Sequence, residues 1–194
     1  MLSPICRPMI DVRHIGPVVL YTCQLPPAAT RREAELAAVQ SLLCEAFPDG
    51  FLLEHAPSGA PVLAGRTERI SISHSRSRAA LAVCEGAPVG VDTETARGQL
   101  ARVAPRVLSE AELAEYGSVP GGLLTAWTLK EAIYKAALTP GLDFRRDIRL
   151  PLGHKKNEAT VAVPGRAARR FAILLCAVDG DEAISVAIAT DGMR

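Results

Sequence analysis

The chain has 194 residues, 48% of them hydrophobic, which suits one large domain or two small ones with a real core and excludes a disordered protein. Lys plus Arg number 22 against 21 Asp plus Glu, so there is no basic field for nucleic acid and no acidic tail. Aromatics are only 4%, so the core must be built from Ala, Val, Leu and Ile.

The elements follow in chain order. Residues 17–24 (PVVLYTCQ) read as a short buried strand, ended by Pro26 and Pro27. Thr30 then caps a helix over about 31–47, in which Ala34, Leu36, Ala37, Val39, Leu42, Leu43 and Ala46 form a broad apolar face. Pro48-Asp49-Gly50 stops it. Residues 51–69 hold Pro57, Gly59, Pro61 and Gly65 and read as short strand pieces and turns. Three strands are predicted next, at Ile70–His74, Ala79–Cys84 and Val89–Thr93, the last two joined by a turn at Glu85–Pro88. Residues 99–107 look helical. Ser109 followed by Glu112 is a capping box that starts a short helix to about Tyr116. Gly117–Gly122 is a loop. A strong helix over about 123–138 ends at Pro140-Gly141. Three strands close the chain, near 158–163, 170–178 and 183–190, the last with Ile184, Val186 and Ile188 on one face.

This order gives helices followed by a short antiparallel sheet, twice over, which predicts an α+β architecture. The five cysteines, Cys6, Cys23, Cys44, Cys84 and Cys176, show no CxxC spacing. They are expected to be free, buried thiols in a reducing compartment. No run reaches 18 apolar residues, so no membrane span is expected. Met1–Ile10 has no sustained apolar region of a signal peptide, so a cytoplasmic protein is expected.

Four constellations carry chemistry. In Gly90-Val91-Asp92-Thr93-Glu94 the two acids are two apart on a strand and leave one face. Paired carboxylates repel unless a cation sits between them, and oxygen ligands suit Mg²⁺. Taken alone, the spacing is more often two solvated surface acids. In Trp127-Thr128-Leu129-Lys130-Glu131-Ala132-Ile133-Tyr134-Lys135, Trp127, Lys130, Glu131, Tyr134 and Lys135 share one broad helical face. The bland account is an i,i+4 ion pair between Glu131 and Lys135 and a Trp in the core. Ser71-Ile72-Ser73-His74-Ser75 places a histidine among hydroxyls at a strand end, a structural site or a phosphate grip. Arg31-Arg32 opens the first helix and is either a solvated start or an arginine fork for phosphate oxygens.

Together, ISHS, GVDTE and WTLKEAIYK resemble, in order and spacing, the signature of the larger, Sfp-like 4′-phosphopantetheinyl transferases: S-H-S, then G-[VI]-D-x-E, then W-x-x-K-E-[AS]-x-x-K. The resemblance covers about residues 70–150 and extends to the Arg31 helix and the SGAP turn at 58–61. It implies a pseudo-dimer of two similar α+β halves with antiparallel sheets, residues 1–90 on the coenzyme A (CoA) side and 91–194 carrying the metal site. It implies Mg²⁺-dependent transfer of the phosphopantetheine group of CoA to a serine of an apo acyl or peptidyl carrier protein. Asp92, Glu94 and Glu131 would hold the metal, and Glu131 would also be the base. Lys135, with Lys130, would meet phosphate oxygens. Ser73 and His74 would hold the 3′-phosphate end of CoA, and either Arg31 or Arg32 would match the family's CoA-binding helix arginine. A pseudo-dimer needs no partner, so a monomer is expected.

One departure is Gly59-Ala60-Pro61, where the family often has Gly-Lys-Pro. Arg66 is a candidate substitute cation. Arg97, Arg102 and Arg106 are spaced for one helical face and form a candidate rim for an acidic carrier. The main alternative is a non-catalytic CoA- or carrier-binding module; a different metal-dependent phosphotransferase and a plain interaction domain are further rivals.

Overall fold

The computed structural model describes residues 8–153 and 157–191. Cys6 lies outside them.

The first sheet begins with β1 (Ile10–Ile15) and β2 (Val18–Gln24), paired antiparallel through a two-residue turn at Gly16-Pro17. Gly16 has φ +57, which a glycine adopts without strain. Helix α1 (Arg31–Ala46) follows, its N-terminus closed by the Thr30–Glu33 capping box. Ala34, Ala38, Leu42 and Leu43 form its buried stripe, and Leu36, expected on that face, is 59% exposed. A small hairpin, β3 (Leu53–His55) and β4 (Pro61–Leu63), leads to β5 (Arg69–His74) and β6 (Arg78–Cys84). The sheet order is β1-β2-β6-β5. One face packs under α1, where Cys23, Leu42, Leu43, Phe47 and Leu81 meet.

The second sheet has the order β7-β11-β10-β9-β8. Its strands are β7 (Val89–Thr95), β8 (Ile148–Arg149), β9 (Glu158–Val161), β10 (Arg169–Asp179) and β11 (Glu182–Ala189). Helices α2 (Leu100–Val107), α3 (Glu110–Gly117) and α4 (Gly122–Ala137) lie between β7 and β8 in the chain. The predicted Ser109–Glu112 capping box forms and starts α3. Strand β7 belongs whole to this sheet, so the expected division at 90/91 falls inside it.

Alternation along the strands sorts the core into layers. Ile184, Val186 and Ile188 share one face of β11 and, with Val89 and Val91 of β7, pack against Val18, Leu20, Ala80 and Ala82 of the first sheet. The opposite face, with Ala187 and Ala189, packs under α4 through Leu129, Ala132, Ile133 and Ala136. Gly90 explains how closely α4 crosses β7. A Cβ there would stand 1.8 Å from the Ala132 carbonyl oxygen, so the helix lies directly on the strand backbone.

All four described cysteines are free. Cys23 and Cys84 are buried as expected, whereas Cys44 and Cys176 are exposed. Cys44 sits on the outer side of α1, and Cys176 stands on the α4 side of β10, where the strand carries a register shift between Ile173 and Leu175. No helix among the described residues is long and apolar enough to cross a membrane.

Candidate active site

Strands β5 and β7 are the edges of their sheets and lie side by side. They are joined by side chains rather than by a backbone ladder. Ser71 Oγ accepts from the Val91 N–H at 3.0 Å, and Ser73 Oγ accepts from the Thr93 N–H at 3.3 Å. Ser73 Oγ also donates to Asp92 Oδ1 at 2.8 Å. Lys135 reaches into this seam from α4. Its Nζ donates to Asp92 Oδ1 at 2.8 Å, to the Val91 carbonyl at 3.0 Å and to the Ile72 carbonyl at 3.4 Å. One lysine thus touches both edge strands and the central acid.

Burial pushes the Asp92 carboxyl above its ordinary value, and the charge of Glu94 adds to this, although Lys135 and Ser73 oppose it. Glu131, one helical turn before Lys135, is raised by burial first and then by the charges of Asp92 and Glu94. The acids therefore share one electrostatic environment. Glu94 is partly committed: its Oε1 accepts from the Thr95 N–H at 2.9 Å and from Arg97 at 3.1 Å. Among the described residues no three His, Cys, Asp or Glu side chains are drawn together closely enough to hold a metal. The donor set still suits Mg²⁺ in kind, because Asp92, Glu94 and Glu131 offer only carboxylate oxygens.

Lys130 is not part of this cluster. It is fully buried, and its Nζ donates to Glu112 Oε2 at 2.9 Å, to the Phe144 carbonyl at 2.8 Å and to the Ile148 carbonyl. It ties α4 to α3 and to the loop after α4, on a different side of the helix from Glu131 and Lys135. The expectation that it meets phosphate is corrected here, because no ligand reaches a side chain with no exposed surface. Trp127 is half-buried.

Two arginines, Arg31 and Arg32, open α1. Arg31 is the one tied to the His74 turn: its Nη2 donates to the Ser75 carbonyl at 3.2 Å. Its Nε donates to Glu35 Oε1 at 2.6 Å, and the same oxygen lies 3.3 Å from His74 Nδ1. Arg32 is exposed. Ser73, buried, belongs to the seam, while His74 is exposed at the end of β5.

The turn after His74 is held from the second sheet. Glu182, first residue of β11, accepts from the hydroxyls of Ser75 at 2.6 Å, Ser77, and Thr95 at 3.4 Å, and its other oxygen lies 3.6 Å from Arg78 Nε. Burial pushes this carboxyl up, but the three hydroxyls and the Arg78 charge outweigh it and leave it below its ordinary value. A depressed carboxyl adds stability that is present above its unfolded pKa and lost as pH falls through the folded one. Glu182→Gln is therefore expected to cost about 1.5–3 kcal/mol at neutral pH, the scale of hydrogen bonds to a charged group. That difference should vanish in acid. Urea unfolding of both proteins across the acid range checks it. Sequence reasoning missed Glu182 and Glu35, because neither lies in a motif and their partners are remote in sequence or ambiguous.

Beside Lys135 a cleft of about 270 Å³ opens. The 58–61 turn forms one wall, Ile70 and Ile72 of β5 the floor, and Tyr134, Leu138 and Thr139 at the end of α4 the other wall. Leu138 ends α4 in the left-handed region at φ +49, a strained conformation for a side chain that lines this cleft. An adjoining cleft reaches Arg66, but that guanidinium is held by Glu68 at 3.2 Å and the Gly50 carbonyl at 3.0 Å, over the Phe47 ring. Arg102 and Arg106 are exposed on α2, and Arg97 precedes it on Glu94.

A family model described as the 4′-phosphopantetheinyl transferase superfamily matches residues 88–187, which takes in β7, all three helices of the second sheet and most of β11. No curated protein matches the chain.

Proposed function

The chain belongs to the 4′-phosphopantetheinyl transferase superfamily, and from that premise we propose that it moves the 4′-phosphopantetheine group of CoA onto a serine of an apo acyl or peptidyl carrier protein. The product alongside is 3′,5′-ADP. One observation carries the reading: Lys135 sits on Asp92 in the seam between the sheets, with Glu131 one turn away, at the edge of a cleft.

The chemistry asked of these residues is modest. The serine oxygen bonds to the phosphorus that carries pantetheine, and the bond from that phosphorus to the ADP portion breaks. Glu131, its carboxyl held above its ordinary value chiefly by burial, takes the serine proton. Lys135 spreads the growing negative charge on the phosphate oxygens. Asp92, Glu94 and Glu131 would hold Mg²⁺, which when bound supplies further charge neutralisation at the pyrophosphate. Ser73 orients Asp92, His74 beside it would meet the 3′-phosphate end of CoA, and Arg31, tied to the same turn, would be the CoA-binding helix arginine. The two helix-covered antiparallel sheets support a pseudo-dimer with CoA in the cleft between them and no need of a second chain. The exposed Arg97, Arg102 and Arg106 favour an acidic carrier surface.

Intact-mass analysis of an apo carrier protein, incubated with this protein, CoA and Mg²⁺, tests the reading. The expected result is a gain of about 340 Da, the formula mass of the transferred group, that disappears with EDTA. Absence of that gain across acyl and peptidyl carriers, with CoA still bound, would favour the non-catalytic module.

A further inference from the structure

Helix α4 lies on its sheet mainly through apolar and backbone surface. Ala132 and Ala136 meet the bare Gly90 backbone, and Leu129 and Ile133 cover Ala187 and Ala189. Such contacts hold the helix close but are non-directional. One short bond interrupts them. Thr128 and Ser185, neither with any exposed surface, share a hydrogen bond of 2.8 Å between their hydroxyl oxygens. Among the described residues it is the one side-chain hydrogen bond that joins α4 to β11. The further partner of each hydroxyl is on its own side. Thr128 also donates to the Thr125 carbonyl at 3.1 Å, and the Cys176 sulfur lies 3.7 Å from Ser185 Oγ. The pair stands beside the acids. Ser185 is the cross-strand partner of Asp92 in the β7–β11 ladder, so the two are neighbours on the α4 face of the sheet. Thr128 precedes Glu131 by three residues and Lys135 by seven, which places all three on one stripe of the helix. Stability does not require the bond, because replacing both hydroxyls by apolar groups of the same shape is nearly neutral.

We propose that Thr128 and Ser185 are positioning residues for the transfer step, the hydroxyl pair fixing where Glu131 stands relative to Asp92. This rests on the transferase reading above. Neither hydroxyl touches a reacting atom: both are buried under α4, and neither lines the cleft beside Lys135. Their effect passes through the helix. A base acts only within hydrogen-bond reach of the proton it takes, and a misplacement of about 1 Å costs up to about 10²-fold in rate. Threonine suits the task, because its branched side chain is stiff and carries the position of the strand to the helix. Lys135 also ties α4 to β7, but through a flexible four-carbon stem that tolerates displacement.

Steady-state transfer to an apo carrier protein, with urea unfolding of the same variants, tests the proposal. Thr128→Val keeps the branched shape and deletes the bond from the helix side; Ser185→Ala deletes it from the sheet side. Each is expected to lower kcat by about 10–100-fold, with KM for CoA within about threefold of wild type. Thr128→Ser keeps the hydroxyl and should restore kcat to within a few-fold. Thr128→Val combined with Ser185→Ala leaves no hydroxyl without its partner. That double variant should regain the urea midpoint lost by either single variant and yet stay slow. In a merely structural role, rate and stability would return together, and that result overturns the proposal. So does a wild-type kcat in Thr128→Val, or a loss that falls on KM for CoA and spares kcat. If Thr128→Val does not fold, the double variant carries the same test. A wild-type protein that transfers nothing to any apo carrier sinks the transferase reading itself, and this proposal with it.

Discussion

Glu131→Gln is expected to lower turnover by about 10²–10⁴-fold, the contribution of a positioned general base, or roughly 3–5 kcal/mol of barrier. The substitution keeps the shape of the side chain and removes its ability to take a proton, together with the charge it would offer Mg²⁺. Because Glu131 is raised by burial and by Asp92 and Glu94, the neutral amide relieves repulsion rather than creating it. The fold should therefore survive, with an unchanged or higher melting temperature. Single-turnover transfer to an apo carrier protein, followed by mass, is the measurement. A rate within a few-fold of wild type would remove Glu131 from the base role and leave Asp92 as the next acid to test.

Lys130→Ala should act on stability instead. It leaves the carboxylate of Glu112, 3% exposed, without its cation, and the Phe144 and Ile148 carbonyls without their donor. Breaking one side of a buried ion pair costs about 3–5 kcal/mol. For a chain of this size that lowers Tm by roughly 6–20 °C. Glu112 spreads the damage, because it also accepts from the Leu150 N–H at 2.7 Å and caps α3 through the Ser109 N–H at 2.8 Å. Adding Glu112→Gln to Lys130→Met should recover part of the loss, since the orphaned charge goes with its partner. Urea unfolding of the three proteins decides the matter. If Lys130→Ala melts like wild type but binds CoA poorly, the lysine serves the ligand after all.

The two adjacent motif residues show what was legible in the sequence. Spacing places Lys130 and Glu131 on one broad face, yet neighbours on a helix point about 100° apart. That angle separates a buried clasp from the site. Nothing near Lys130 in sequence names Glu112, eighteen residues earlier and itself disguised as a capping residue. The cap at Thr30 and the capping box at Ser109 were readable because their chemistry closes within four residues. So was β11, whose alternation matches a two-sided sheet. Strand β1 was missed: Asp11, Val12, Arg13 and His14 are all exposed, so this edge strand carries no burial signal. Strand β8 has two residues and leaves no pattern. That Arg31 and not Arg32 is tied to the His74 turn depends on the Ser75 carbonyl, a contact forty-four residues away that only the folded chain supplies.

The hydroxyl bridges of Ser71 and Ser73 have a mechanical meaning. A backbone ladder between β5 and β7 would fuse the two sheets into one plate that opens only by tearing cooperatively. Serine hydroxyls are separate fasteners, each satisfying one backbone N–H of β7 without a continuous ladder. Lys135, straddling both edges, is the bolt across that row. With that bolt drawn back, the serine bridges and the apolar layer of Val18, Leu20, Val89 and Val91 still hold the sheets together, so Lys135 is the one fastener in the row that the fold can spare for a phosphate.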